Sequence, residues 1–194
     1  MLNKRTLTTL SLVTLFGFSL IGLFIIWKFV DDYTPIELFA VGLAWYKQLF
    51  YGALFGLSGA AVAIWLMSGK WYVQSRLYFT AMIERLSPGY LEILFYSLCA
   101  GIGEEILFRG AIQPFIGVWP TAILFIVLHG YINPFNWALT LYGVIMVVVS
   151  AGFGYLFWSY GIYAAIVAHS IFDIVMFIFL KQNAKNFKNI PVED

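Results

Sequence analysis

An apolar run from Thr8 to Val30, free of charge until Lys28, decides what this chain can fold into. An α-helix rises about 1.5 Å per residue and the hydrocarbon core of a bilayer is about 30 Å thick, so roughly 20 apolar residues make one span. Composition extends that conclusion beyond the first run. The 194 residues are 62% hydrophobic and only 11% charged, where a soluble domain is roughly one-quarter charged. The expected fold is all-α: a polytopic transmembrane helical bundle of about six spans, with one or two interfacial amphipathic helices. The basic start Met1–Arg5 is that of a secretory signal peptide. The run behind it is longer than a signal's apolar core, and no small-x-small cleavage site precedes Lys28 and Asp31-Asp32, so a retained anchor is expected.

Span length divides the chain. The first span is Thr8–Val30, the second Gln48–Met67, the third Tyr90 to about Phe115, the fourth about Trp119 to Ile132, the fifth Trp137 to about Trp158 and the sixth about Ile162 to Leu180. Between the first two, Asp31–Lys47 carries Pro35 and several aromatics and is too polar to span, which leaves a short interfacial helix or a re-entrant piece. In Lys70–Leu86, Trp71, Tyr72, Leu77, Phe79 and Ile83 interleave with Lys70, Arg76, Glu84 and Arg85, the pattern of a helix in the headgroup region that Ser87-Pro88-Gly89 ends. Trp27, Trp45, Trp65, Trp71, Trp119, Trp137 and Trp158 fall near span ends, as an aromatic belt requires.

The basic residues Lys4-Arg5, then Lys70, Arg76 and Arg85, then Lys181, Lys185 and Lys188 fall on one side of a six-span chain. The positive-inside rule makes that side cytoplasmic, so both termini are expected in the cytoplasm and the protein in a bacterial-type cytoplasmic membrane. With no internal repeat and no linker, one membrane domain is expected: N-terminal spans and interfacial helix over 1–89, a core over 90–180 and a polar tail over 181–194. A net charge of +1 without interleaved basic and aromatic residues gives no reason to expect a nucleic-acid partner. The single Cys99 excludes an intramolecular disulfide and reads as core packing.

Against this background Glu104, Glu105, Arg109, His129, His169 and Asp173 stand out as the ionisable groups deep in the last four spans, and they include both histidines of the chain. Such groups cost several kcal/mol at membrane depth unless paired or hydrated, so their convergence on one polar site is expected. Glu105 and Arg109 are i and i+4, acid before base, and form a buried ion pair that orients the helix. Glu104 is rotated about 100° from Glu105 and cannot share that line, which leaves it for chemistry beside a histidine. His169 and Asp173 repeat the i, i+4 spacing, so the acid either orients the imidazole or faces a substrate with it. Phe125 and His129 share that spacing too. Gly101, Gly103 and Gly110 flank the charged stretch and permit close helix approach.

Glu104-Glu105-Ile-Leu-Phe-Arg109-Gly110 resembles the EExxxR motif of the CPBP intramembrane proteases, a family that includes CAAX prenyl endopeptidases and bacteriocin-processing or immunity proteins. Phe125-Ile-Val-Leu-His129 resembles its FxxxH motif, and His169-Ser-Ile-Phe-Asp173 its HxxxN or HxxxD motif. The resemblance implies a glutamic-type endopeptidase in a helical bundle, acting near the C-terminus or membrane anchor of a membrane-tethered protein or peptide. In it Glu104 with His129 activates water, His169 with the residue at 173 polarises the scissile carbonyl, and Glu105, Arg109 and Phe125 support them. Asp173 stands where the family more commonly has Asn, and a carboxylate is a poor oxyanion donor unless protonated.

No cofactor is expected. Zinc is the alternative, since two His and a Glu form a known ligand set, but the helical His-Glu-x-x-His pattern is absent. Two readings of other classes stand beside the protease: a proton-coupled transporter or channel, and a non-catalytic binding or immunity protein on the same scaffold. Six spans place Arg109 and the entry to the fourth towards the outer face.

Overall fold

In the computed structural model, which describes residues 3–188, the regular elements are helical and no strand occurs among those residues. Helix α1 is α-helical over Lys4–Leu12, π-helical over Val13–Phe18 and α-helical again over Ser19–Phe29. Asp31–Lys47 is mostly irregular, with a short 3₁₀ turn at Glu37–Phe39 in place of an interfacial helix. Helix α2 is Trp45–Ser68, and α3 is Val73–Leu86 behind a 3₁₀ turn at Lys70–Tyr72. Helix α4 runs Tyr90–Glu105, continues as a π-helical stretch Ile106–Ile112 and closes with Gln113–Ile116. Then come α5 Val118–Leu128, α6 Trp137–Tyr160 and α7 Ile162–Lys188. The tail from 189 lies outside the described residues, as do the side chains of Lys185 and Lys188.

Local chemistry sets these ends. The Asn3 side chain accepts from the Thr6 amide at 2.9 Å to cap α1, and Asn136 accepts from Leu139 at 3.0 Å to cap α6. Ser87, with φ 42°, closes α3 in the left-handed region before Pro88. His129 caps α5 and Gly130, with φ 74°, turns the chain away, so this helix stops at Leu128 and not at Ile132.

Among the described residues four segments are long and apolar enough to cross a bilayer: Lys4–Phe29, Trp45–Ser68, Trp137–Tyr160 and Ile162–Ala184. The expected count of six includes two more. Helix α4 has the length, but Glu92, Glu104, Glu105 and Arg109 make it too polar. Helix α5 has 11 residues, about 16 Å at 1.5 Å each, roughly half the hydrocarbon core.

Helix α7 is the hub, packed against α2, α3, α4 and α6. Small residues allow this: a β-carbon at Gly52 would lie 2.5 Å from the Ala164 carbonyl oxygen, and one at Gly56 2.5 Å from that of Ala168. Two helices with such faces meet backbone to backbone, the usual way of gaining van der Waals contact in lipid. On the other side of α7, a β-carbon at Gly101 of α4 would meet the Ser170 hydroxyl and lie 3.0 Å from the Ile166 carbonyl oxygen. Gly101→Ala is expected to push α4 off α7 and cost about 1–3 kcal/mol, read as a lower midpoint of thermal unfolding in detergent.

Side-chain contacts sort the helix ends. Lys4 pairs with Glu92 at 2.8 Å, Arg76 donates to the Met67 carbonyl at 2.8 Å, and Lys181 donates to the Pro88 carbonyl and lies 4.4 Å over the Tyr90 ring. These contacts gather Lys4, Arg76 and Lys181 at one end. At the other end Leu43 bonds to the Tyr160 carbonyl at 2.8 Å, Tyr33 to the Gly110 carbonyl at 2.7 Å, and Gln48 accepts from the Tyr163 amide at 3.0 Å. A hydrophobic cluster with Met67, Tyr72, Ile83, Tyr142 and Leu180 packs towards the basic end, and a second with Ile26, Leu38, Phe157 and Ile162 packs towards the opposite end.

Candidate active site

Helix α4 separates its two glutamates. Glu105 is fully buried, and its Oε2 accepts from Arg109 Nε at 2.9 Å while its Oε1 faces His169 Nδ1 at 2.8 Å. Arg109, also fully buried, donates from Nη2 to Ser150 Oγ at 2.9 Å and stacks its guanidinium over Phe125 at 5.4 Å. Acid and base thus neutralise each other without water, the condition for a charge pair to persist in such a place, while Arg109 Nη1 is buried without a hydrogen-bond partner. Arg109 rides on the π-helical stretch, and such wider turns recur at functional sites.

Glu104 faces the other way, into a cavity of about 390 Å³ that is also lined by His129, His169, Asp173, Tyr131 and Tyr142. Neither Glu105 nor Arg109 lines it. Glu104 Oε2 is buried without a hydrogen-bond partner, 3.8 Å from His129 Nε2 and 3.7 Å from His169 Nε2. His169 Nε2 is also 3.7 Å from Asp173 Oδ2. These separations exceed a direct hydrogen bond, yet atoms so placed can share one oxygen at about 2.8 Å from each.

The aromatic neighbours fix the imidazoles. Phe125 lies 4.2 Å from His129 and 5.8 Å from His169 between ring centroids, and Phe153 stacks on His169 at 5.4 Å with an interplanar angle of 15°. His129 Nδ1 is 2.7 Å from the Phe125 carbonyl oxygen. A carbonyl only accepts, so this nitrogen carries the hydrogen, and in the neutral ring Nε2 offers a lone pair to the cavity.

All the residues singled out by motif therefore meet around one site, with Phe125 in its wall and Glu105 and Arg109 behind it. Two partners escaped the sequence reading. The acid that holds His169 in its tautomer is Glu105, not Asp173, and Ser150 completes the Arg109 environment. Neither has a local signal, since the contacts span 64 and 41 residues.

The cavity extends from Glu104 past Tyr96, Leu7 and Phe177, that is, towards the basic end of the bundle. A smaller cavity of about 150 Å³, lined by Phe79, Met82 and Ile83 of α3, shares Tyr131, Tyr142 and Asp173 with it. Arg109 does lie towards the opposite end, yet the carboxylates open towards the lysines. As for zinc, no group of three His, Cys, Asp or Glu side chains among the described residues is arranged to hold a metal ion. His169 Nδ1 is already engaged by Glu105.

Residues 86–175 match the family Rce1-like, described as type II CAAX prenyl endopeptidase Rce1-like. All three motifs fall inside that stretch, so the resemblance they carry holds, and over it the chain is similar to that family. Among curated proteins, the uncharacterized protein YpbD of Bacillus subtilis (strain 168) is 31% identical over 86 residues, covering 43% of this chain and 43% of that protein. The match thus spans less than half the length of that relative. No solved structure matches the chain.

Proposed function

We propose that this protein is an intramembrane endopeptidase that hydrolyses a peptide bond of a membrane-tethered protein or peptide, near its C-terminus or membrane anchor. One observation carries the reading: Glu104, His129, His169 and Asp173 from three separate helix segments line one cavity, with Glu104 unpaired between the two imidazoles. A carboxylate held beside a lone pair is the arrangement that draws a proton from water, and general-base assistance of this kind is worth roughly 10²–10⁴-fold in rate. His169 then acts on the carbonyl side, with Glu105 keeping its Nδ1 occupied and its Nε2 aimed into the cavity. The reaction is direct addition of water, followed by loss of the amine, with no covalent intermediate.

The topology that goes with this has six crossings, counting α4 and the short α5. The basic end lies in the cytoplasm with both termini, and the cavity faces it. An aqueous mouth on that side supplies water, and the lipid-facing α1 lines the cavity's flank through Leu10 and Thr14.

The test uses the purified protein in liposomes, mixed with membrane proteins from cells carrying Glu104→Gln, in water enriched in ¹⁸O. New C-termini bearing the label are expected with the wild type and none with Glu104→Gln. Their absence in both would remove the protease. The same assay under strict chelation is expected to proceed at an unchanged rate. Loss of activity with recovery on added zinc would replace the glutamic mechanism by a metal-dependent one.

A further inference from the structure

The imidazoles and carboxylates that meet in the cavity offer acceptors in place of donors. His129 Nδ1 and His169 Nδ1 carry their hydrogens, towards the Phe125 carbonyl and the Glu105 carboxylate respectively, so in the neutral rings both Nε2 atoms accept. The Glu104 and Asp173 carboxylates accept as well. Hydrolysis through a tetrahedral intermediate needs the opposite, hydrogen-bond donors aimed at the oxygen where negative charge develops.

Tyr131 meets that need. It borders both cavities together with Asp173, and it lines the larger one with Glu104. Its ring lies parallel to that of His129, 6.3 Å away with an interplanar angle of 4°, and is held from behind by Tyr142 at 5.6 Å and Phe79 at 6.3 Å. Among the described residues its hydroxyl has no hydrogen-bond partner. The backbone is shaped to place it. Gly130 turns the chain directly after His129, and the segment then presses on α6 at Gly143, where a β-carbon would lie 2.9 Å from both Cβ and the carbonyl oxygen of Tyr131.

Resting on the endopeptidase reading above, we propose that Tyr131 is a further catalytic residue, whose phenolic O–H donates to the oxyanion of the tetrahedral intermediate. As the water oxygen bonds to the carbonyl carbon, one water O–H breaks and its proton passes to the Glu104–His129 pair. The carbonyl π pair moves onto oxygen, where the Tyr131 hydroxyl holds it. Collapse re-forms C=O, breaks C–N and returns the proton to the leaving amine. The products are an acid and an amine, and Tyr131 ends as it began.

The test follows, by pulse-chase, a C-terminus whose processing is lost with Glu104→Gln. Tyr131→Phe is expected to slow processing by roughly 10²-fold, the usual effect of removing one oxyanion donor, with little change in half-saturating substrate or unfolding midpoint. Adding Asp173→Asn is expected to recover at least about tenfold, because an amide supplies the missing N–H. Tyr72→Phe, which removes a hydroxyl outside both cavities, is expected to change the rate by less than about threefold, since Tyr72 packs on the far side of Tyr142. A Tyr131→Phe rate within twofold of wild type, an equal loss in Tyr72→Phe, or a lowered unfolding midpoint without rescue by Asp173→Asn would overturn the role of Tyr131. In all three cases an inactive Glu104→Gln leaves the protease standing. A search that finds no C-terminus whose processing depends on Glu104 would remove the reading beneath both.

Discussion

Glu104→Gln is expected to reduce peptide-bond cleavage by roughly 10²–10⁴-fold, the range for loss of a positioned general base, while the protein still folds and still binds its substrate. The amide is almost the same size as the carboxylate and fills the same place between His129 and His169. It cannot take a proton from water. Folding is insulated because Glu104 Oε2 has no hydrogen-bond partner to lose. The unfolding midpoint in detergent should therefore stay close to that of the wild type, and any structural role assigned to Glu104 predicts a drop there.

Arg109→Ala produces the opposite pattern. Its removal strands the fully buried Glu105 carboxylate without its cation, leaves Ser150 Oγ without a donor and uncovers Phe125. Breaking a buried pair on one side typically costs about 3–5 kcal/mol, so the variant should unfold at a much lower temperature or fail to accumulate. Activity falls with it, because Glu105 is also the group that fixes His169. Glu105→Gln combined with Arg109→Gln removes both charges together and should recover part of the stability but not the activity. A single Arg109→Ala that is as stable as the wild type would refute the buried pair.

The helical period made much of this legible in advance. Residues four apart share a face, which paired Glu105 with Arg109 and turned Glu104 away, and the cavity honours that division. The apolar runs likewise marked the four long spans to within a few residues. What the period does not carry are contacts between distant segments. Glu105 reaches His169 across 64 residues and Arg109 reaches Ser150 across 41, and nothing local announces either. The span count strained for a related reason: the ionisable groups of α4 remove it from the apolar set, and α5 is cut short by a glycine turn that sets Tyr131 beside His129. The end of the bundle towards which the cavity runs also needed the third dimension. Arg109 points one way along α4 and the cavity runs the other.

The most direct measurement compares, by mass spectrometry, the C-termini of membrane proteins from cells carrying the wild type and cells carrying Glu104→Gln at equal abundance. A hydrolytic Glu104 predicts at least one membrane-tethered protein or peptide whose C-terminus is trimmed with the wild type and extended with the variant. Identical termini across the two membranes would contradict it.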